Sequence, residues 1–339
     1  MSSHDLAATA RALVADGKGI LAADESTGTI KKRFDGIGLE STAESRRAYR
    51  QLLFTAPDFA SHISGVILYD ETLRQADDRG RPFARLLADQ GVLPGIKVDT
   101  GAKPLAGHPG ETVTEGLDGL RERLADYVGL GARFAKWRAV IDIGRDLPTD
   151  GAIVANAHAL ARYAALCQEA GVVPIVEPEV LMDGAHDLAR CEAVTAGVLR
   201  AVFHSLERQR VSLEGMLLKP NMVIPGKGCP DQASPERIAA ATLRCFRQTV
   251  PAAVPGIVFL SGGQSAEEAT VNLNAMNAMG PQPWTLSFSY GRALQQPALA
   301  TWSGKTDNLA KAQAVFRVRA ACNGAAAMGA YSAAMEAAG

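Results

Sequence analysis

Eight short apolar runs recur along the chain at fairly even spacing, and polar or glycine residues follow each of them. The runs begin at Gly19, Gly65, Gly95, Phe134, Pro174, Gly215, Gly256 and Trp284. A short, continuous apolar run is typical of a strand that is buried on both faces, as the strands of parallel sheets are. The spacing of roughly 30 to 45 residues leaves room for a helix between successive strands.

Most gaps between these runs carry signals for a helix. Ser41–Glu44 and Ser265–Glu268 both match a capping box, and Ser234 is an N-cap candidate that is followed by a proline. An alanine-rich segment from Ala152 predicts a helix that ends at Gly171. Strand and helix that alternate eight times predict an α/β fold of the (β/α)₈ TIM barrel type.

An open, doubly wound sheet is the structural alternative to a barrel. It explains eight evenly spaced units less well, and no GxGxxG motif follows the first run to indicate a dinucleotide site. The chain has no compositional break and no proline-rich linker. We therefore expect a single domain over residues 1–339, with one or two alanine-rich helices in a C-terminal segment at about 306–339.

Charge and composition narrow the classes of partner. The chain has 35 basic and 36 acidic residues, so electrostatics give no argument for binding nucleic acid or an anionic membrane. The sequence has no apolar stretch of about 20 residues and no signal-peptide pattern. Five widely spaced cysteines without a CxxC suit free thiols in a reducing compartment, which predicts a cytoplasmic location.

Polar side chains fall where a barrel would use them. Active sites of (β/α)₈ barrels lie at the carboxyl ends of the strands. The predicted strand ends supply Asp24, Lys97, Lys136, Arg138, Glu177, Glu179, Lys219, Ser261 and Arg292. Because side chains alternate along a strand, three pairs each share one face: Lys136 and Arg138, Glu177 and Glu179, and Lys97 and Asp99. Scattered solubilising charges would not need this regularity.

Lys219 is the most informative of these residues. It ends the apolar run that contains Leu217 and Leu218, where an ammonium group is costly to bury. In the plain structural interpretation, its stem covers the core and its head reaches water. In the functional interpretation, burial and the nearby ammonium of Lys136 keep Lys219 neutral. A neutral amine attacks ketones and aldehydes, and the resulting Schiff base makes carbon–carbon cleavage accessible.

Two regions of the predicted barrel are candidates for binding phosphate. Gly262 and Gly263 let backbone N–H groups approach an anion, a helix opens near Ser265, and Arg292 can clamp the ligand. The alternative for the glycine pair is a tight turn into a capped helix. A second anion would meet Lys97, Ser26, Thr29, Lys32 and Arg33. These groups imply a substrate with a carbonyl and up to two phosphates.

The six histidines do not suggest a metal site. None of them lies at a predicted strand end, and no HxH or HxxxH spacing occurs. His158 and His204 fall inside helical patterns, where ordinary packing or surface roles are expected. The sequence therefore predicts neither a metal nor another cofactor.

Taken together, the runs resemble the motifs of the class I fructose-bisphosphate aldolase family. The matching segments are "GILAADESTGTIKKRF", "GVILYDETL", "GIKVDTG", "FAKWRAV", "PIVEPEVL", "LLKPNMVIPG", "FLSGGQSAEEA" and "SFSYGRALQ". They occur in order from about Leu6 to about Ala320. The resemblance implies a (β/α)₈ barrel, a homotetramer, and reversible cleavage of fructose 1,6-bisphosphate to dihydroxyacetone phosphate and glyceraldehyde 3-phosphate in glycolysis and gluconeogenesis.

The resemblance also implies roles for individual residues. Lys219 would form the Schiff base, Glu177 would act as acid and base, and Glu179 would support the charge network. Asp24 would take the C4 hydroxyl proton, and Lys136 would lie beside the nucleophile. The ketone-side phosphate would be held by Ser261, Gly262, Gly263, Gly291 and Arg292. The other phosphate would be held by Lys97, Ser26 and Thr29, with Arg138 near the distal end of the substrate and Lys32 and Arg33 at the mouth.

Animal members of the family end in a mobile tail with a terminal tyrosine that helps proton exchange, whereas the last tyrosine here is Tyr331. We therefore expect Glu177 or a bound water to protonate the enamine. Two other functions stay open at this point. One is another Schiff-base barrel, such as a transaldolase or a deoxyribose-phosphate aldolase, and the other is a catalytically silent barrel that serves as a scaffold.

Overall fold

Eight parallel strands close into a barrel in the computed structural model, which describes residues 3–338. The barrel strands are β1 (Gly19–Ala23), β2 (Ile63–Leu68), β3 (Leu93–Lys97), β6 (Phe134–Ile141), β7 (Val173–Val180), β8 (Leu217–Leu218), β9 (Gly256–Phe259) and β10 (Thr285–Tyr290). Their order around the barrel is β1, β2, β3, β6, β7, β8, β9, β10, and β10 pairs with β1 to close it. Each predicted run supplies one strand, so the predicted (β/α)₈ barrel is confirmed.

Helices surround the barrel on its outside and, in the case of α1, across its amino end. They are α1 (Ser3–Leu13), α2 (Thr27–Asp35), α3 (Ala43–Phe54), α4 (Phe59–His62), α5 (Asp70–Leu73), α6 (Phe83–Asp89), α7 (Leu120–Gly129), α8 (Asp150–Glu169), α9 (Leu188–Arg208), α10 (Pro235–Thr249), α11 (Ala266–Ala278), α12 (Arg292–Trp302) and α13 (Leu309–Ala327). Short 3₁₀ turns occupy Leu213–Gly215, Thr306–Asn308 and Ala333–Ala338. Within residues 3–338, no helix is long and apolar enough to cross a bilayer.

The two predicted capping boxes have different outcomes. At α11, the Ser265 N–H donates to Glu268 Oε2 at 2.7 Å, and the Glu268 N–H donates to Ser265 Oγ at 3.1 Å, as predicted. At α3, the prediction is wrong by one residue, because Thr42 is the N-cap and Ser45 completes the box. The Ser45 N–H donates to Thr42 Oγ1 at 3.0 Å.

A hairpin between β3 and α7 is absent from the sequence prediction. Its strands, β4 (Gly101–Pro104) and β5 (Thr112–Glu115), pair antiparallel outside the barrel. Each strand has only four residues, too few to establish an alternating apolar pattern. The Thr114 hydroxyl donates to the carbonyl of Arg138 at 2.7 Å, which anchors the hairpin to β6.

The amino end of the barrel is closed by apolar side chains. One buried cluster consists of Leu6, Ala10, Leu13 and Val14 from α1 and its loop, together with Ile20, Ala22, Ile67, Phe134, Val173, Ile175, Leu217 and Val258 from the strands. Phe134 fills the centre, and a Cβ at Gly95 would lie 2.3 Å from its ring. Glycine at position 95 therefore makes room for the aromatic ring.

A second, larger core lies between the strands and the outer helices. Helix α13 packs against α11 and α12 and extends this layer over the outside of β10. The C-terminal segment that was predicted to be helical contains α13 and two 3₁₀ turns, while Gly339 lies outside the described residues.

Candidate functional site

A cavity of about 630 Å³ opens at the carboxyl ends of the strands. The predicted residues that line it are Asp24, Ser26, Thr29, Arg33, Lys97, Lys136, Arg138, Glu177, Glu179, Lys219, Ser261, Gly262, Gly291 and Arg292. Two other predicted residues are outside this lining. Lys32 is exposed on α2, and Gly263 packs against Met182. The structure thus brings most of the predicted set together.

Two lysines and two carboxylates meet at the floor of the cavity. Lys136 Nζ lies 2.7 Å from Asp24 Oδ2 and 3.4 Å from Glu177 Oε2. The other oxygen of Glu177 lies 3.3 Å from Lys219 Nζ. Lys136, Glu177 and Lys219 are buried, and Asp24 is nearly so. Glu177 therefore stands between the two lysine nitrogens, where it can exchange a proton with either side.

The backbone fixes Lys219 even though β8 has only two residues. The Lys219 N–H donates to the carbonyl of Val176 on β7 at 2.8 Å. On the other side, the carbonyl of Pro220 accepts the N–H of Leu260, just past β9, at 3.1 Å. The ladder thus continues through the two residues that follow the strand, so Lys219 is held between two neighbours and not on a free loop.

The charges at the floor stabilise one another. Burial alone would raise the pKa of Asp24, but the ammonium of Lys136, together with Lys219 whenever that side chain is protonated, lowers it well below its ordinary value. Burial alone would lower the pKa of Lys136, but Asp24 and Glu177 raise it well above its ordinary value. At neutral pH, Asp24 is therefore a carboxylate and Lys136 an ammonium.

A second layer of ion pairs lies above this floor. Arg138 Nε donates to Glu179 Oε2. Lys97 Nζ lies 2.7 Å from Asp99 Oδ1, while Asp99 Oδ2 accepts the backbone N–H of Arg138 at 3.2 Å. Asp99 thereby connects β3 to β6, although it was not among the predicted site residues. The spacing of Lys97 and Asp99 in the sequence places the two side chains on one face, and this was the signal for the role of Asp99.

Glu25 is a second residue that the site prediction missed. Burial alone would raise its pKa, but Arg50 and Arg33 lower it. Arg50 Nη2 donates to Glu25 Oε2 at 2.5 Å, and Gln295 Nε2 donates to Glu25 Oε1 at 2.9 Å. These contacts tie the end of β1 to α3 and α12. Because Arg50 and Gln295 are far from Glu25 in sequence, no local pattern indicates this role.

The loops after β9 and β10 form the region predicted to bind an anion. Gly263 has φ of 78°, and a Cβ there would lie 1.9 Å from Met182 Cγ. A Cβ at Gly262 would lie 2.9 Å from Glu179 Oε1. At position 263 only glycine fits both the backbone conformation and the contact with Met182, and the chain continues from there into the N-terminus of α11. Gly291 is the N-cap of α12, with φ of −98°, and Arg292 follows it with an exposed side chain.

Helix N-termini present unpaired N–H groups and a partial positive charge, so they favour anions. Here the N-terminus of α12, at Gly291 and Arg292, lines the same cavity as the buried lysines, and so does the Ser261–Gly262 backbone that leads toward α11. Among the described residues, no group of three or more His, Cys, Asp or Glu side chains is arranged to hold a metal ion.

A closed parallel barrel with buried lysines and carboxylates at its carboxyl face defines a (β/α)₈-barrel enzyme. Residues 5–339 match the family model described as fructose-bisphosphate aldolase class-I, a glycolytic family. The chain therefore belongs to the class I fructose-bisphosphate aldolases, as the sequence motifs indicated.

Individual proteins show the same relationship. A probable fructose-bisphosphate aldolase class 1 of Xanthomonas campestris pv. campestris is 62% identical over 330 residues, which cover 97% of this chain and 99% of the relative. The cytosolic fructose-bisphosphate aldolase 5 of Arabidopsis thaliana is 57% identical, with 97% and 92% covered. The structure of fructose-bisphosphate aldolase from Plasmodium falciparum, in complex with TRAP and a small molecule inhibitor, superposes with a TM-score of 0.96 at 52% identity, with 97% and 95% covered.

Proposed function

We propose that Lys219 forms a Schiff base with the C2 carbonyl of fructose 1,6-bisphosphate, which is then cleaved reversibly between C3 and C4. The products are dihydroxyacetone phosphate and glyceraldehyde 3-phosphate. The observation that carries the proposal is the position of Glu177, with one carboxylate oxygen 3.3 Å from Lys219 Nζ and the other 3.4 Å from Lys136 Nζ. Attack requires the neutral amine of Lys219, and that protonation state stays a prediction.

Each proton has a residue within reach in this mechanism. Lys219 passes its ammonium proton to Glu177 and adds to C2 as a neutral amine, and a second proton moves from the nitrogen to the carbonyl oxygen. Glu177 then donates its proton to the carbinolamine hydroxyl, which leaves as water to form the iminium. The Asp24 carboxylate accepts the proton of the C4 hydroxyl as the C3–C4 bond breaks. The electron pair of that bond passes to the iminium, which becomes an enamine. Glu177 or a bound water protonates the enamine at C3, and the proton that Asp24 took from the C4 hydroxyl replaces the one transferred. Hydrolysis then releases the ketone product and restores the lysine.

Lys136 serves this chemistry as a fixed positive charge. It is paired with Asp24 and Glu177, and its raised pKa keeps it an ammonium through the cycle. The ammonium stabilises negative charge on whichever carboxylate has given up its proton. Glu179 holds Arg138 at the wall above this pair, on the side where the distal part of the substrate would lie.

The two phosphates find different partners in the cavity. We assign the ketone-side phosphate to Ser261, Gly262, Gly263, Gly291 and Arg292, around the N-termini of α11 and α12. We assign the other phosphate to Lys97, Ser26 and Thr29, with Arg138, Arg33 and Lys32 toward the mouth. Ser26 caps α2, and Ser26 Oγ lies 3.1 Å from Thr29 Oγ1, so the two hydroxyls form one small polar patch.

Borohydride reduction with dihydroxyacetone phosphate in EDTA, followed by peptide mass mapping, tests the mechanism. We expect a stable adduct on Lys219 and none in a Lys219→Arg variant. Lys227→Arg is the matched control, because Lys227 is exposed beside the same face and pairs only with Asp183 in the described chain. An adduct that is absent, or confined to surface lysines, would refute the Schiff base and return Lys219 to a structural role.

Several broader statements belong to the same proposal. The enzyme acts in glycolysis and gluconeogenesis in the cytoplasm as one domain over residues 1–339, without a metal or other cofactor. It assembles as a homotetramer and binds neither nucleic acid nor membrane. The description of the family as glycolytic and the cytosolic Arabidopsis relative support the pathway and the location. Light scattering of the purified protein tests the oligomeric state, since a mass other than four times 35.6 kDa would contradict it.

A further inference from the structure

Arg319 is a buried cation that the proposed chemistry does not use. It lies on α13, outside the barrel, with only 3% of its surface exposed. Its guanidinium donates to four acceptors. Nη2 bonds the carbonyl of Ala266 at 2.7 Å and Thr270 Oγ1 at 2.5 Å, and Nε bonds the carbonyl of Ala293 at 3.4 Å. Nη1 bonds Glu336 Oε1.

Three of these acceptors belong to α11 and α12, the helices that follow the two loops of the proposed ketone-side phosphate pocket. Ala266 is the first residue of α11, three residues after Gly263, and Ala293 is the second residue of α12, two residues after Gly291. One planar guanidinium therefore joins the first turns of both helices from behind. Its five donors lie in a rigid fork, so the two carbonyls it bonds are held at a fixed separation.

We propose that Arg319 is a positioning residue for the ketone-side phosphate pocket, in that it sets the separation of the N-termini of α11 and α12. This inference rests on the proposed function, because it takes that pocket as the phosphate site. The backbone N–H groups at Gly262, in the loop that leads to α11, and at Arg292, the first residue of α12, must reach one anion together. A shift of either helix lengthens some of these hydrogen bonds even if the pocket keeps all its residues.

Glu336 completes the arrangement from the C-terminal segment. Its carboxylate accepts from Arg319 Nη1 and from the Tyr331 hydroxyl, the latter at 3.1 Å. Tyr331 is in turn fixed, because its N–H donates to Asn274 Oδ1 on α11 at 3.0 Å. Glu336 thus bonds the one guanidinium nitrogen that does not reach α11 or α12, and it orients the fork.

The test compares Arg319→Met, Arg319→Lys and Glu336→Gln with the unchanged enzyme. Glu192→Gln is the matched control, because Glu192 is similarly buried and pairs with Arg244 between α9 and α10, away from the cavity. We would measure kcat, KM for fructose 1-phosphate and the inhibition constant for inorganic phosphate, with thermal unfolding in parallel. Fructose 1-phosphate is chosen because it carries only the ketone-side phosphate. The borohydride adduct of each variant reports separately whether the Schiff base still forms.

We expect Arg319→Met to raise KM and the phosphate inhibition constant about tenfold, with kcat unchanged within about twofold. Arg319→Lys should restore only part of the loss, because an ammonium cannot reproduce the fork. Glu336→Gln should raise both constants about twofold, and Glu192→Gln should change neither.

A lower melting temperature with unchanged KM would overturn the inference and leave Arg319 a structural residue. Tighter phosphate binding in Glu336→Gln would also overturn it, since that result would indicate a charge effect. Failure of the adduct in the unchanged enzyme would instead refute the proposed function.

Discussion

The two ends of the barrel are built from the same strands but have opposite chemistry. At the amino end, α1 and the strand interior contribute apolar side chains, with Leu6, Leu13 and Phe134 packed together. At the carboxyl end, the same strands lead into buried lysines and carboxylates, including Lys136 and Glu177. Burying apolar groups stabilises a fold, whereas burying ions costs free energy that their pairing offsets only in part.

We infer from this difference that the amino end of the sheet mainly stabilises the fold and the carboxyl end mainly provides the chemistry. Side chains at the amino end can be exchanged for others of similar volume with little effect on catalysis. Side chains at the carboxyl end cannot be exchanged in this way, because each charge there neutralises another. Four substitutions test this division, and each should affect mainly one end.

The largest effect is expected from Lys219→Met. We predict a loss of kcat of roughly 10⁴-fold for fructose 1,6-bisphosphate, because no other group can form the Schiff base. The melting temperature should stay the same or rise, since an apolar side chain replaces a buried amine while Glu177 keeps its pairing with Lys136. Activity within tenfold of the unchanged enzyme, or a large loss of stability, would contradict the division of roles between the two ends.

The second-largest effect is expected at the amino end of the barrel and should change stability but not catalysis. Leu13→Ala removes a buried side chain from α1, and we predict a loss of about 3 kcal/mol in the free energy of unfolding. The kcat of the folded variant should be unchanged. Val154→Ala on the exposed face of α8 is the control and should cost less than about 0.5 kcal/mol. A fall in kcat for folded Leu13→Ala would show that the two ends are coupled.

Gly263→Ala tests whether substrate binding at the carboxyl end depends on the loop before α11. A Cβ at position 263 would meet Met182 and would strain a residue with φ of 78°. We predict a KM for fructose 1,6-bisphosphate raised about tenfold, because the loop before α11 must move. Gly38→Ala provides the control, since Gly38 has φ of 68° but open space around it. Equal changes in KM for both variants would mean that backbone strain alone, and not the contact with Met182, is responsible.

The smallest effect is expected in the stability of the fold at acidic pH. The pKa of Asp24 is lower in the folded state than the ordinary value of 3.8, so its carboxylate contributes stability above that value. That contribution is lost as the pH falls through the lowered pKa of the folded state. We predict that Asp24→Asn reduces stability at pH 7 by about 1 kcal/mol and makes the loss of stability below about pH 4 shallower. Urea unfolding at a series of pH values measures both, and an unchanged slope would contradict the prediction.

The sequence predicts the barrel well because strand and helix signals are local. A few neighbouring positions are enough to recognise an apolar run, a cap such as Ser265, or the polar residues after a run. The same periodicity brings Lys136 and Glu177 into one cavity once the barrel is assumed. The pairing of Glu25 with Arg50 and the bonds of Arg319 to α11 and α12 depend on packing between distant segments. The β4–β5 hairpin escaped prediction because its strands are too short to show a period.

Because α1 closes the amino end of the barrel, its packing limits when the helix can dock during synthesis. Helix α1 leaves the ribosome early, yet it packs against late parts of the chain. A Cβ at Gly215 would lie 3.1 Å from Leu6, and one at Gly256 would lie 2.6 Å from Val14. Because Leu217 and Val258 complete the same cluster, α1 has no finished docking surface until β9 has been translated. Docking of α1 and closure of the barrel should therefore occur as one late event, and protection of the α1 amides from hydrogen exchange would report it.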